Sequence, residues 1–475
     1  MTEAAEPFDV VIIGGGAAGV LVAIHLLEVR NTALRIAIVE PRPALAQGAA
    51  YSTNYPEHLL NVIESRMSAF DTDSDHFARF MAASEDLSEF VPASGTIRDG
   101  SLNVFARRLD FGRYLLATLE QRASHESLQW LRDEAIDVDS IGVDDNGVGC
   151  NGPYSVKLAG GDTLRARHVV LAVGNFPRAL PLPASAIHGE PRIDSAWNYA
   201  AVRGIDPACD VCIIGSGLSM IDAVISLAQI GHHGRITVLS RHGLMPLPHA
   251  RHGSQEGDVD DLRPLSLRAR MRILRSRAAE AMKAGEPWQW TMDQVRYHVQ
   301  SLWRSLSDIE QRRFLRHGAR FWDIHRHRIA PSVAATLDAM RSSGQLVIHA
   351  AHLVSIVGEG SQISVVHRRR GEQDNRELHV DRVLNSTGVE SNIRRMDNRL
   401  LRALLARGTI VLGKHGIGVA TDDSGALLNA DGIAQPDLLT IGALRIGQLW
   451  ESIAIPELRV HAEDISRRLL GRIAL

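Results

Sequence analysis

Two glycine turns, each set between a short β-branched run and a helical one, constrain this chain more than any other feature. Gly14-Gly15-Gly16-Ala17-Ala18-Gly19 follows the apolar run Phe8 to Ile13, and Gly215-Ser216-Gly217-Leu218-Ser219-Met220 follows Val211 to Ile214. Both runs are short, apolar and rich in Val and Ile, as strands buried on both faces must be. Helices are predicted over Ala17 to Val29 and about Leu218 to Ile230. Further strands are predicted at Arg35 to Val39 and Ile236 to Leu239. Each group is a βαβ unit.

The segments downstream of the two units repeat as well. After the first come alternating segments, Ile136 to Val143 and Tyr154 to Leu158, and then the strand His168 to Val173 running into Gly174. After the second come Leu346 to Ile356, Ile363 to Val366, and Asp381 to Thr387 running into Gly388. The 475 residues exceed what one core organises. The expected fold is α/β, with two Rossmann-like dinucleotide-binding domains of the three-layer ββα type, the second inserted in the first. The expected bounds are 1–190 plus 386–475 for the outer domain and 191–385 for the inner one. A helical insert is expected at about 244–340, rich in Arg and holding four of the seven Trp (Trp288, Trp290, Trp303, Trp322).

The glycines have distinct physical tasks. Gly14 makes the turn, Gly16 lets backbone approach a pyrophosphate, and Gly19 allows close helix–strand packing. The helix N-terminus then offers free N–H groups to the phosphates. Glu40, 21 residues beyond Gly19 at the end of the next strand, is placed to hold ribose hydroxyls. A ligand-free βα turn is the plainer alternative. At the second turn Met220 replaces the third glycine, and the next strand ends in Ser240-Arg241-His242 instead of an acid. Ser and Arg there suit a 2′-phosphate, so NADPH is expected over NADH, with Gly215, Gly217, Ser219, Ser240 and Arg241 at its site. Arg241 as a solvated strand-end charge is the alternative.

Composition excludes some classes. A net charge of −3 gives no sign of nucleic acid or an anionic membrane as partner, although 263–277 and 312–328 are locally basic. Three cysteines (Cys150, Cys209, Cys212) do not make a disulfide framework, and the acidic start Met1 to Glu6 lacks the positive region of a secretory signal. A cytoplasmic protein acting on a small molecule is expected; oligomeric state is left open. Cys209 and Cys212 spell C-x-x-C, but three residues of strand separate Cα atoms by roughly 10 Å, beyond the ~7 Å of a disulfide. Buried strand cysteines are the simpler reading. No G-x-S-x-G nucleophile motif is present.

Nearly the whole chain resembles the FAD-NAD(P)-binding flavoproteins related to class B flavin monooxygenases and ornithine N-hydroxylases. The residues that carry the resemblance include the two fingerprints, Gly48-x-x-Tyr51-Ser52 and His58-Leu59-Leu60-Asn61-Val62. Met67 to Phe70, Trp322-Asp323-x-His325-Arg326-His327-Arg328 and Gly442-x-x-x-x-Gly447-x-x-Trp450-Glu451 complete it. The resemblance implies an FAD site of Gly14, Gly16, Ala18, Gly19, Glu40, Gly48, Asn61, Gly174 and Gly442, closed by the returning strand Asp437 to Ile441. It implies an oxidoreductase reduced by NADPH, a monooxygenase acting through a C4a-(hydro)peroxyflavin. The alternatives are a flavin reductase or dehydrogenase without oxygen insertion, and a non-catalytic FAD-binding sensor. Two departures stand out. Gly442-Ala443 replaces the usual Gly-Asp of the returning strand. In the linker pattern F-x-G-x-x-x-H-x-x-x-W, Gly189 and Trp197 fall in register but Ile193 takes the His position. Trp322, His325 and His327 are the candidates for chemistry, against the plainer reading of a basic solvated face. His325-x-His327 alone is a poor metal site. The segment from about Glu451 is expected to aim a helix N-terminus at the flavin.

Overall fold

A computed structural model describes residues 6–28, 34–83, 104–140, 154–250 and 257–473. Val29, positions 141–143 of the expected meander and Cys150 lie outside them. The chain forms two principal sheets. In the first, five parallel strands run in the order Ala434–Thr440, Thr163–Leu171, Phe8–Ile13, Ile36–Val39, Leu128–Leu131. Val10 sits opposite both Ile36 and His168. The strands alternate between two cores. Val10 and Ile12 face the helices Ala17–Leu27, Arg108–Glu120 and Ile455–Ile473. Val11 and Ile13 face the antiparallel meander Ala135–Ser140 and Tyr154–Leu158, with the helix Arg399–Arg407. Helix, sheet and meander are the three layers of the ββα arrangement.

The second sheet repeats the plan. Leu346–Glu359, Ile236–Ser240, Val211–Ile214, Arg382–Asn385 and Ile193–Ser195 are parallel neighbours in that order. The long strand Leu346–Glu359 continues antiparallel into Gln362–Arg369 and Arg376–Val380. Where the chain passes between the sheets, Phe176–Pro177 pairs antiparallel with Val389–Glu390, so the outgoing and returning crossings form one ribbon. The fold is thus the α/β, two-Rossmann plan expected from the repeat.

The insert is helical among its described residues. Leu267–Lys283 starts at Ser266, whose side chain accepts the Ala269 N–H, and Asp308–Arg313 starts at Ser307, which caps Glu310 in the same way. Both serines satisfy an N–H that a helix start leaves unpaired. These helices enclose their own core of Leu262, Leu274, Leu302, Trp303, Phe314 and Trp322, against which Trp450 of the C-terminal segment packs. No helix among the described residues is long and apolar enough to cross a membrane.

Polar contacts join the two sheets' surroundings. Arg108 donates both Nη atoms to the Asp222 carboxylate at 2.6 and 3.0 Å, both side chains being largely buried. His58 Nε2 lies 2.8 Å from Ser226 Oγ, and Arg203 pairs with Glu57 at 2.5 Å. An Asp222→Asn substitution removes the charge and one acceptor from Arg108. It is expected to cost about 1–3 kcal/mol of stability, read as a lowered midpoint in denaturant; an unchanged midpoint would show that this pair does not join the two halves energetically.

Candidate functional site

At the first turn the backbone leaves no room for side chains. Gly14 has φ +109°, and a Cβ there would lie 2.2 Å from the Ala172 carbonyl oxygen. A Cβ on Gly19 would lie 2.0 Å from the Gly14 oxygen, so the helix crosses the turn at closest approach. Gly15, a filler position in the motif, is constrained as well: a Cβ would meet Leu45 at 2.4 Å and Glu40 at 2.8 Å. A Cβ on Gly16 would stand 3.4 Å from the Gly48 Cα, and Gly48 itself has φ +52°.

These glycines open on a cleft lined by Gly14, Gly16, Glu40, Arg42, Gly48, Gly174 and Asn175, among others. Glu40 is held by two backbone donors, the Gly15 N–H at 2.8 Å on one oxygen and the Arg42 N–H at 3.0 Å on the other. A carboxylate offers about four acceptor positions, so two remain to face the cleft. Asn175 Oδ1 is buried there without a hydrogen-bond partner. A glycine cradle, a fixed carboxylate with free lone pairs and an orphaned amide oxygen fit the adenosine and pyrophosphate half of a dinucleotide.

The other expected FAD residues surround this cleft or lie beyond it. Gly442 has φ +80° and lies over the start of the first helix, a Cβ on it falling 3.6 Å from Ala18 Cβ. Its carbonyl accepts the Ser452 hydroxyl at 2.9 Å. Asn61 is in a separate interdomain pocket with Leu59, Arg108, Asp222 and Ala330. The Asn61 carbonyl accepts the His249 Nε2–H at 3.0 Å. Burial, then Arg328, pushes His249 down to about 3, so the imidazole is neutral and its Nε2 carries the proton.

The second turn copies the first. Gly215 has φ +108°, and a Cβ there would lie 2.1 Å from the Ser386 oxygen. Around Gly217 a Cβ would meet nothing within 4 Å, which leaves open space at the helix start. Met220, in the third position, is fully buried in the second sheet's core. Ser219 Oγ takes the indole N–H of Trp197 at 2.8 Å. Ser240 Oγ lies 2.9 Å from the Ser216 hydroxyl and accepts the Gly243 N–H at 3.1 Å, so it shapes the loop. Arg241 is exposed, and among the described residues no carboxylate pairs with it. Burial, then Arg241, Arg370, Arg320 and His352, lowers the His242 imidazole below its usual value; the strand end is therefore ringed by basic groups. Arg320, reaching back from the insert, donates to the Ser216 carbonyl at 3.0 Å and the Leu244 carbonyl at 2.5 Å.

The candidates for chemistry separate. Trp322 is buried and donates its indole N–H to Glu451 at 2.9 Å. His325 Nδ1 lies 2.7 Å from the Phe321 carbonyl, and its ring meets Trp288 edge-on at 5.0 Å. His327 is half-buried; burial outweighs Glu451 and, with Arg326, Arg296 and Arg320, pushes it down to about 4, so it is neutral near pH 7. Glu451 does not stand free before the last helix: it pairs with Arg326 at 2.6 Å. Arg326 also faces Glu457 at 3.5 Å, and Arg328 and Arg66 face Asp293. Cys212 is buried in its strand, where burial pushes the thiol up to about 12, and both Cys209 and Cys212 are free thiols. In the linker, Gly189 has φ +66° and packs on the Gly358 carbonyl, and Ile193 is a strand residue of the second sheet.

Against known proteins, residues 11–176 match the model of a family described as FAD-NAD(P)-binding, a span that runs from the first strand past Gly174. Among curated protein sequences none matches the chain. Solved structures align over its length. Ornithine N-hydroxylase of Kutzneria sp. 744 is 16% identical with TM-score 0.67, covering 98% of this chain and 100% of that one. L-lysine 6-monooxygenase of Pseudomonas syringae is 17% identical with TM-score 0.67 and the same coverage. The cadaverine monooxygenase of Erwinia amylovora, solved with FAD, is 13% identical with TM-score 0.67, covering 98% and 95%. The architecture is therefore that of the two-domain FAD/NAD(P)-binding flavoproteins. At these identities the likeness fixes the fold and leaves the substrate to chemistry.

Sequence reasoning missed Arg42, Asn175 and Arg320. Asn175 directly follows Gly174 and carried a local signal; Arg320 did not, since it meets Ser216 across 104 residues.

Proposed function

We propose that the chain is an NADPH-reduced, FAD-dependent oxidoreductase, and specifically a monooxygenase acting on a small molecule. One observation carries the reading: two turns of matching geometry end in opposite charges, a backbone-held Glu40 in one and the carboxylate-free Arg241 cluster in the other. The acid suits the ribose hydroxyls of an adenosine, and the basic cluster suits a 2′-phosphate. In this reading residues 1–190 with 386–475 hold FAD and residues 191–385 hold NADP(H). The N–H groups at Ala17 and Ala18 face the FAD pyrophosphate, and Gly174, Gly442 and Asn61 follow the cofactor toward its flavin end. Gly215, Gly217 and Ser219 face the NADPH pyrophosphate. The similar structures solved as an ornithine N-hydroxylase, a lysine 6-monooxygenase and a cadaverine monooxygenase support the monooxygenase half.

When bound, FAD supplies hydride acceptance and oxygen chemistry. The chain's part is placement. Arg320 locks the NADPH loop against the insert through two carbonyls. The Arg108–Asp222 pair holds the two halves in one orientation. The neutral His327 neither adds positive charge beside Glu451 and Arg326 nor donates a proton as an imidazolium near pH 7.

A flavin reductase without oxygen insertion is the second reading, favoured by Ile193 at the linker position where related oxygenases carry His. Stopped-flow spectroscopy on the yellow protein separates the two. NADPH is expected to bleach the flavin band; a protein that stays oxidised sinks both readings. With oxygen and a primary amine, coupled turnover yields hydroxylated product, whereas a reductase returns only hydrogen peroxide. Arg241→Ala is expected to raise the KM for NADPH by about ten- to hundredfold and to leave that for NADH nearly unchanged. Equal effects on both would remove the 2′-phosphate assignment.

A further inference from the structure

The helical insert lines an apolar pocket, partly open to solvent, that shares no lining residue with the glycine-turn cleft. Leu274, Leu302, Leu306 and Phe314 form its walls from the insert, and Trp450 borders it from the C-terminal segment.

Three of the four lining residues with strong donors, Arg270, Trp303 and Trp322, spend them on partners elsewhere in the chain. Arg270 gives its guanidinium to the carbonyls of Arg263, Leu265 and Leu302 at 2.7, 2.8 and 2.7 Å and to the Ser305 hydroxyl at 2.9 Å. Trp303 donates its indole N–H to the Gly447 carbonyl at 3.3 Å, and Trp322 donates to Glu451 at 2.9 Å. The surface facing the cavity is carbon. Water needs two to four polar partners to be held, and this lining offers none, so water in the pocket is poorly ordered and an apolar guest gains by displacing it.

Trp450 adds an independent sign that the space is built. Its backbone sits at φ +63°, ψ −59°, a region that bulky residues rarely enter. That conformation stacks its indole on Trp303 at 5.3 Å and sets it edge-on to Phe314 at 5.1 Å. The result is an aromatic corner, suited to the face and edge of another ring.

We propose that this cavity is a binding site for an uncharged apolar group, an aromatic ring or branched alkyl unit, either on the redox substrate or on a separate effector. A zwitterion or an ammonium group does not fit inside, since no charged or polar partner faces it. The site stands on the insert's own packing and does not depend on the flavin assignment.

The test uses the full-length, flavin-loaded protein titrated with fluorobenzene, followed by fluorine NMR and calorimetry. Saturable binding at one site per chain is expected. Leu306→Trp fills the space and is expected to weaken binding by about tenfold or more, while the near-isosteric Leu302→Met keeps it within about twofold. Leu274→Phe serves as a second filled variant where Leu306→Trp fails to give a cooperative thermal transition. Non-saturable binding to the wild type, or unaltered binding to a folded filled variant, would overturn the proposal. With binding established, an oxygenated form of the ligand among the products identifies the substrate as its source, and a changed rate of NADPH consumption with the ligand recovered intact identifies a separate effector.

Discussion

A Gly14→Ala variant is expected to purify without flavin. The methyl group would have to enter at φ +109° and within 2.2 Å of the Ala172 carbonyl oxygen, an atom of the adjoining backbone that no side-chain rotation can move. The φ value alone costs about 1–3 kcal/mol for a residue with a Cβ, and relieving the clash means moving the turn or the strand end that floors the cleft. Either shift turns the N–H groups of the helix start away from the cleft. Gly215→Ala is the matched control, because its local geometry is nearly the same, φ +108° and 2.1 Å from the Ser386 oxygen. It is expected to leave a yellow protein with full flavin content whose reduction by NADPH is slowed by at least about tenfold, a loss of ~1.4 kcal/mol or more in binding. Flavin-to-protein absorbance ratios and stopped-flow reduction distinguish the two. A fully flavinated Gly14→Ala protein, or a Gly215→Ala protein that loses flavin and keeps tight NADPH binding, would reverse or remove the cofactor assignment.

The two matched glycine turns were legible in the sequence because their causes are local. A glycine turn after a β-branched run has few uses, and an acid or an arginine at the next strand end lies at a spacing fixed by one βαβ unit. The returning strand Ala434–Thr440 was legible for the same reason, as a short apolar run ending in Gly442. The features that stayed hidden depend on distant pieces of chain meeting. Arg108 and Asp222 lie 114 residues apart, and Trp322 and Glu451 lie 129 apart. Each is an ordinary helix or loop residue whose periodicity reports which face is buried but not against what. The same limit explains the reading of Trp322, His325 and His327 as one candidate centre. Their sequence proximity is real, but the helix Ala319–Arg326 directs Trp322 inward to Glu451, while His325 turns back on Phe321 and Trp288. Gly15 was passed over for a different reason: its constraint comes from Leu45 and Glu40, which approach only once the strand order is set.

Glu451→Gln is expected to be strongly destabilising while leaving both glycine turns untouched. Glu451 is 6% exposed and holds Arg326, itself 6% exposed, at 2.6 Å while accepting the Trp322 N–H. Around them lie Arg66, Arg296 and Arg328 with Glu457 and Asp293. Removing the Glu451 charge leaves four guanidiniums facing two carboxylates in a place where water cannot compensate. Breaking a buried pair in this way costs about 3–5 kcal/mol. The pH dependence gives an internal check. Burial pushes the Glu451 carboxyl up, but Arg326, His327, the Trp322 N–H and Arg296 together outweigh it, so it titrates below the usual carboxylate range. A carboxyl with a depressed folded value contributes stability that is fully present above its unfolded value, near ~4.3. That stability is lost as pH falls through the folded value. Glu457 runs the other way: burial raises it, so acid relieves part of its cost. The stability gap between wild type and Glu451→Gln, from denaturant titrations, should therefore be widest near neutral pH and close as the pH drops below the ordinary carboxylate range. A gap that persists unchanged into acid would mean that Glu451 acts through shape and hydrogen bonding alone, with its charge carrying none of the link between the insert and the C-terminal segment.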